Sequence, residues 1–187
     1  MNISTVSKTS DDFAIRSGAA TAAASRSVSR TVEEVKEALH DVWLPRLYLE
    51  RILPLRTRSH HLDVPPKENS VQVQHTLLGV ELKVGRRRML CPDLAMARYL
   101  AAFARAGCAE VAVPYDITKL SSLADSLESA WHRMLLLIER AGIERHAAFR
   151  SRVRSHLVRD VREEIERAGA GTAIPQFNQN TKQRRAR

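Results

Sequence analysis

Cysteine, glycine and aromatic residues are all scarce in this chain, and each shortage removes a class of protein. The two cysteines, Cys91 and Cys108, make no disulfide scaffold and have no partner at zinc-ligand spacing. They read as small buried hydrophobes in a reducing, cytoplasmic setting. Seven glycines never gather into a phosphate-cradling loop or a nucleophile elbow, and the seven histidines show no metal-ligating spacing. Sequence alone assembles no Ser, His and Asp set for nucleophilic catalysis, and no cofactor is implied. Aromatics make up 5% of the chain, too few for a row of platforms under unpaired bases; only Phe177 lies near the basic C-terminus. No run of about 18 apolar residues exists, so neither a membrane-spanning helix nor a membrane partner is expected. The last shortage is of acid: 21 Asp and Glu face 30 Lys and Arg, a net charge of +9. That balance favours polyanions and makes DNA or RNA the expected partner, with another protein as the alternative.

What is present is a core-forming middle between two polar ends. With 187 residues and 44% hydrophobic content there is enough for one domain. Residues 1–30 are rich in Ser, Thr and Ala and read as a disordered leader, because so little apolar surface cannot offset the entropy of ordering it. Asp11 and Asp12 argue against an organelle transit peptide, and the Arg- and Ala-rich usage suits a bacterial protein. Residues 31–168 form the expected α/β domain. Residues 169–187 read as a flexible tail whose Lys182, Arg184, Arg185 and Arg187 face no acid.

Within the domain, Thr31 and Glu34 have the spacing of a capping box, and Val32, Val35, Leu39 and Val42 make an apolar helical stripe. Pro45 ends or kinks that helix, and a short second one runs from Arg46 to Leu53. Residues 54–70 hold three prolines and two adjacent histidines and read as a loop. Val71 to Leu77 and Val80 to Val84 alternate apolar and polar, as half-buried strands do. Gly85-Arg86 turns into a third strand, Arg87 to Cys91. A helix opened by Pro92 and Asp93 carries Leu94, Ala97, Leu100, Ala101 and Ala104 on helical spacing as far as Gly107. The apolar strand Glu110 to Pro114 follows. A strand–helix–strand crossover implies parallel pairing, hence a mixed sheet of about four strands with helices packed on it. A long helix bears Leu120, Leu123, Leu127, Trp131, Met134 and Ile138 and stops at Gly142; a last helix runs from about Ile143 to Ala168. Leu135, Leu136 and Leu137 widen the long helix's stripe, which fits a homodimer.

Glu81 and Lys83, two apart on a strand, share one face. An acid beside an amine can hold a divalent metal and stabilise charge on an attacked phosphate. Helix, three strands, helix, strand, with Glu81-Leu82-Lys83 on a middle strand, resembles the core of the PD-(D/E)XK nuclease superfamily, the archaeal Holliday-junction resolvases in particular. The resemblance covers under half of the chain. It implies a metal-dependent nuclease, with Mg²⁺ or Mn²⁺ on Glu81 and Lys83 stabilising the developing charge. One departure stands out. Where the family places an Asp on the preceding strand, this chain has the neutral Gln72, Gln74 and Thr76, so the nearest upstream acid, Asp63, is the second metal ligand that a nuclease would use with Glu81.

The remaining candidates concern phosphate. Arg86, Arg87 and Arg88 sit at a turn, where guanidinium forks can meet phosphate oxygens. On the last helix Arg145, Arg152 and Arg159 recur every seven residues with His156 between them, a stripe fit to follow a nucleic-acid backbone. Glu163 and Glu166 offer that helix local ion pairs with Arg159 and Arg162. Tyr115 and Asp116, at the carboxyl end of a parallel strand, are placed to line a pocket, though Asp116 also has the position of a helix cap. The expected function is non-catalytic nucleic-acid association through the Arg clusters and the tail. A metal-dependent nuclease and a protein-binding adaptor are the alternatives.

Overall fold

The computed structural model describes residues 25–63, 70–143 and 145–171. The first helix, α1, occupies residues 25–39. Val28, Val32, Val35 and Leu39 fall three or four apart and are all buried, which is why the helix lies flat on the core. Thr31 is therefore an interior residue and not the cap its spacing implies. The apolar stripe starts a turn earlier, at Val28, and an Arg30–Glu34 pair at 2.9 Å spans that turn. Residues 25–30 of the expected leader are thus helical, and residues 1–24 lie outside the described residues. A 3-10 turn, His40–Val42, leads into α2, Leu44–Leu47, which continues as a π turn over Tyr48–Ile52. Pro45 sits in the first turn of α2, where its missing N–H has no partner to lose.

Two antiparallel sheets follow in place of one mixed sheet. Strand β1, Thr57–His61, falls in the segment read as a loop; it pairs with β5, Glu110–Pro114. Strands β2 (Val71–Thr76), β3 (Gly79–Val84) and β4 (Arg87–Cys91) form a meander. The expected parallel pairing is absent because the helix after β4 carries the chain to the other sheet, where β1 already offers an edge. Alternation in the meander is as the sequence implies: Val71, Val73, Val80, Leu82, Val84, Met89 and Cys91 share the inner face.

That connecting helix, α3, spans Leu94–Ala106. Asp93 caps it by accepting from the Met96 N–H at 2.7 Å, and Gly107 ends it in the left-handed region with φ 80°. It packs on the inner face of the meander and on α4, Leu120–Ala141. Arg98 joins α3 to α4 through Asp125 at 2.8 Å and Glu128 at 2.6 Å. The last helix, α5, starts at Ala147, four residues later than expected from Ile143, and runs to Ala168. Arg150 bridges the joint, donating to the Gly142 carbonyl at the end of α4 and pairing with Glu139 at 3.3 Å.

The free edge of β5 is closed by side chains. Tyr115 N–H bonds to the Arg56 carbonyl and Leu62 N–H to the Ala109 carbonyl, so in this ladder Ala112 belongs to a non-hydrogen-bonded pair and aims its N–H and C=O away from β1. The Tyr48 hydroxyl accepts from that N–H at 2.9 Å and donates to the Gly169 carbonyl at 2.6 Å. The Tyr99 hydroxyl donates to the Ala112 carbonyl at 2.6 Å. Pro114, with no N–H to satisfy, takes the next outward position. Both tyrosines pack edge-on against Phe103. Burial pushes the Tyr48 phenol up to about 12 and that of Tyr99 well above its ordinary value.

One core runs from Val28 in α1 to Ile165 in α5 and includes both cysteines, which are free and buried. Burial raises the Cys91 thiol and pushes that of Cys108 up to about 12, so both stay protonated and unreactive. No described helix is long and apolar enough to cross a membrane. Leu136 is exposed on α4, whereas Leu135 and Leu137 are half-buried against the core.

Candidate nucleic-acid interface

The outer face of the meander gathers Glu81, Lys83 and Arg88 of the predicted site. Gln72, Lys83 and Arg88 stand directly opposite one another in one cross-strand row, and Gln74, Glu81 and Leu90 in the next. Glu81 and Lys83 do share a face. The Arg triplet divides: Arg86 is exposed in the turn after Gly85, Arg88 joins the outer face, and Arg87 points inward. Lys83 and Arg88 are like charges at direct cross-strand distance, an arrangement that disfavours the sheet unless an anion lies over it.

Glu81 is the acid on this face. Its side chain is 12% exposed; Oε2 lies 3.7 Å from Arg88 and accepts no hydrogen bond, while Oε1 accepts from Thr76 at 3.4 Å. Asp63, the other acid proposed for a metal, is ion-paired to Arg87 on the opposite face of the sheet. The two carboxylates are therefore not brought together. Hard divalent cations bind through several oxygen ligands, preferably anionic, and one carboxylate flanked by Lys83 and Arg88 does not fit one. No group of three or more His, Cys, Asp or Glu able to hold a metal occurs among the described residues.

On the inner side, where β1 ends beside the meander, lies a cleft of about 230 Å³. Leu62, Leu82, Val84 and Met89 line it together with His61, Asp63, Arg87 and Arg88.

The helix stripe is a separate surface. α3 packs between the meander and α5. Arg152 and Arg159 are exposed, and Arg159 lies 2.9 Å from His156 Nδ1 and 3.7 Å from Glu163. Arg145 precedes the helix and stacks over Phe149 at 5.6 Å. Asp160 and Glu164 serve the fold: Lys36 of α1 reaches them at 3.3 and 3.0 Å, and Trp43 Nε1 donates to Glu164 at 2.8 Å. Of the two expected ion pairs only Arg159–Glu163 forms; Arg162 lies instead against Gly107. Lys182, Arg184, Arg185 and Arg187 lie outside the described residues.

Asp116 is a cap, accepting from the Thr118 N–H at 3.1 Å and its hydroxyl at 2.6 Å, which holds its carboxyl below the usual range. Tyr115 follows an antiparallel strand, so the rule for carboxyl ends of parallel strands does not apply, and it lines no part of the cleft. Its ring lies instead under Arg58 of β1 and Arg56 just before that strand, which sequence reasoning missed. They become legible as a period-two series, Arg56, Arg58, His60, only once that segment is known to be extended. No protein-family model, curated protein or solved structure matches this chain.

Proposed function

We propose that this chain is a non-catalytic nucleic-acid-associated protein that grips the phosphate backbone with the outer face of the meander. The observation that carries the reading is the Lys83–Arg88 cross-strand pair with Arg86 at the adjoining turn, a basic row facing one acid, Glu81. Gln72 within the row and Gln74 in the next add amide donors that suit phosphate and sugar oxygens. Arg152 and Arg159 add a second basic surface, and the net charge of +9 draws any polyanion toward both.

The test is binding of labelled duplex and single-stranded oligonucleotides across a salt series, with Mn²⁺ or with EDTA. Wild type should bind with a steep salt dependence and leave the strands intact in both buffers. Replacing Lys83, Arg86 and Arg88 together by Gln should flatten the log–log salt slope on duplex by about 2 to 3, at ~0.9 for each phosphate no longer neutralised. An unchanged slope refutes the assignment to this face. No binding even at low salt would pass the positive charge to an acidic protein partner, and Mn²⁺-dependent cleavage abolished by Glu81→Gln would restore the nuclease reading.

A further inference from the structure

β1 carries a basic face that the nucleic-acid reading does not use. Arg58 and His60 alternate with Ser59 on the strand, and Arg56 continues the series, its carbonyl accepting from the Tyr115 N–H in the β1–β5 ladder. Both guanidinium groups converge on one ring: the Arg56 carbon centre lies 5.1 Å from the Tyr115 centroid and that of Arg58 5.9 Å. Opposite them on β5, Val111 and Val113 are fully buried, so the inner end of this face is dry.

Two polar atoms are left without partners there. Arg58 Nε and His60 Nε2 are both buried and make no hydrogen bond. Neither Arg56 nor Arg58 has an ion pair with an acid among the described residues. The acids nearest in sequence are engaged elsewhere, Glu50 with Arg46 and Asp63 with Arg87; on the facing segment Glu110 takes the Ser59 hydroxyl on the other face, and Asp116 caps its own turn. Burial, and then the charges of Arg58 and His61, push the His60 imidazole below its ordinary range, as expected of a locally positive site without a counter-ion. Orphaned buried polar atoms together with uncompensated guanidinium charge are costly in the free protein. A ligand with several anionic oxygens removes that cost.

We propose that Arg56, Arg58 and His60 form a binding site for a phosphate dianion, in which the two guanidinium forks hold the oxygens and Tyr115 keeps the forks in place. Guanidinium geometry matches tetrahedral oxyanions through paired N–H donors, and two adjoining positive charges favour a dianion over a phosphodiester. The same dianion occurs on a small phosphate ester and on the 5′-phosphate end of a nucleic-acid strand. The inference stands on β1 alone and does not depend on the function assigned to the meander.

The test is calorimetric titration of the full chain with inorganic phosphate near pH 8, with chloride at matched ionic strength as the blank. Phosphate should bind saturably, and Arg56→Gln should weaken it roughly tenfold or more, the loss expected for a charge-assisted contact. Arg56 is exposed, so its replacement spares the core; Arg58→Lys keeps the charge, removes the fork and should also weaken binding. Arg133→Gln, exposed on α4 and outside both basic surfaces, should change nothing. Heat indistinguishable from chloride, or Arg56→Gln and Arg58→Lys both titrating like wild type, overturns the site. A 5′-phosphorylated oligonucleotide binding more tightly than its 5′-hydroxyl twin, with the difference lost in Arg56→Gln, assigns the dianion to strand ends. Equal binding of the two, with inorganic phosphate still bound, assigns it to small esters.

Discussion

Replacing Tyr48 by Phe removes one oxygen that serves two backbone groups. The ring stays, and so does its edge contact with Phe103 at 5.5 Å, which isolates the effect to the hydroxyl. Two hydrogen bonds disappear: the one from the Ala112 N–H at 2.9 Å and the one to the Gly169 carbonyl at 2.6 Å. Gly169 is exposed, so water takes over its carbonyl at little cost. Ala112 is fully buried on the closed edge of β5, and its N–H has no substitute partner. An orphaned buried donor costs about 1–3 kcal/mol, so the variant should lose about 2 kcal/mol of folding stability. With a urea m-value of about 2 kcal/mol/M for a chain of this size, the unfolding midpoint should fall by about 1 M at unchanged m. Tyr99→Phe orphans the Ala112 carbonyl in the same way. Because the two hydroxyls serve different atoms, the double variant should lose roughly the sum of the two. Tyr115→Phe is the control: its hydroxyl makes no hydrogen bond to any described residue, so the midpoint should shift by no more than about 0.5 kcal/mol in equivalent. A Tyr48→Phe midpoint equal to wild type would refute the claim that these hydroxyls close the edge of β5.

The same phenols predict an alkaline limit. Tyr48 ionises near 10 when unfolded and about 12 when folded, so its share of stability is complete below about pH 10 and drains away as pH rises toward 12; urea midpoints across that range should fall, less so in Tyr48→Phe. Gly107→Ala has room for its methyl, with Arg162 no nearer than 3.6 Å, but φ of 80° disfavours it; thermal melts should show a loss of about 1 kcal/mol. Glu164→Gln removes one of the two charges that hold Lys36 and the acceptor strength behind Trp43 Nε1, and should destabilise the α1–α5 contact by about 1–2 kcal/mol in chemical denaturation. Truncation after Gly171 should leave the melting temperature unchanged and weaken oligonucleotide binding, most at low salt; equal affinity would remove the tail from the interface.

The sequence by itself determined every element whose residues carry a strong local pattern. Period-two alternation over Val71–Thr76 and Gly79–Val84 specified the meander and the face shared by Glu81 and Lys83, because a strand's side chains have no other way to point. Helical stripes closed by Gly107 and Gly142 specified α3 and α4, since their stop signals act within a turn of the chain. Only the tertiary structure decided the rest. Thr57–His61 has no apolar alternation and becomes a strand because β5 offers it a ladder. The pairing of β5 depends on which edge is open after α3, a long-range fact that no local rule carries. The arginines divided for the same reason: parity across the Gly85 turn sent Arg87 inward to Asp63 and Arg88 outward, separating the two carboxylates a metal would need. The convergence of Arg56 and Arg58 on Tyr115 joins residues far apart in sequence, and only the β1–β5 register brings them together.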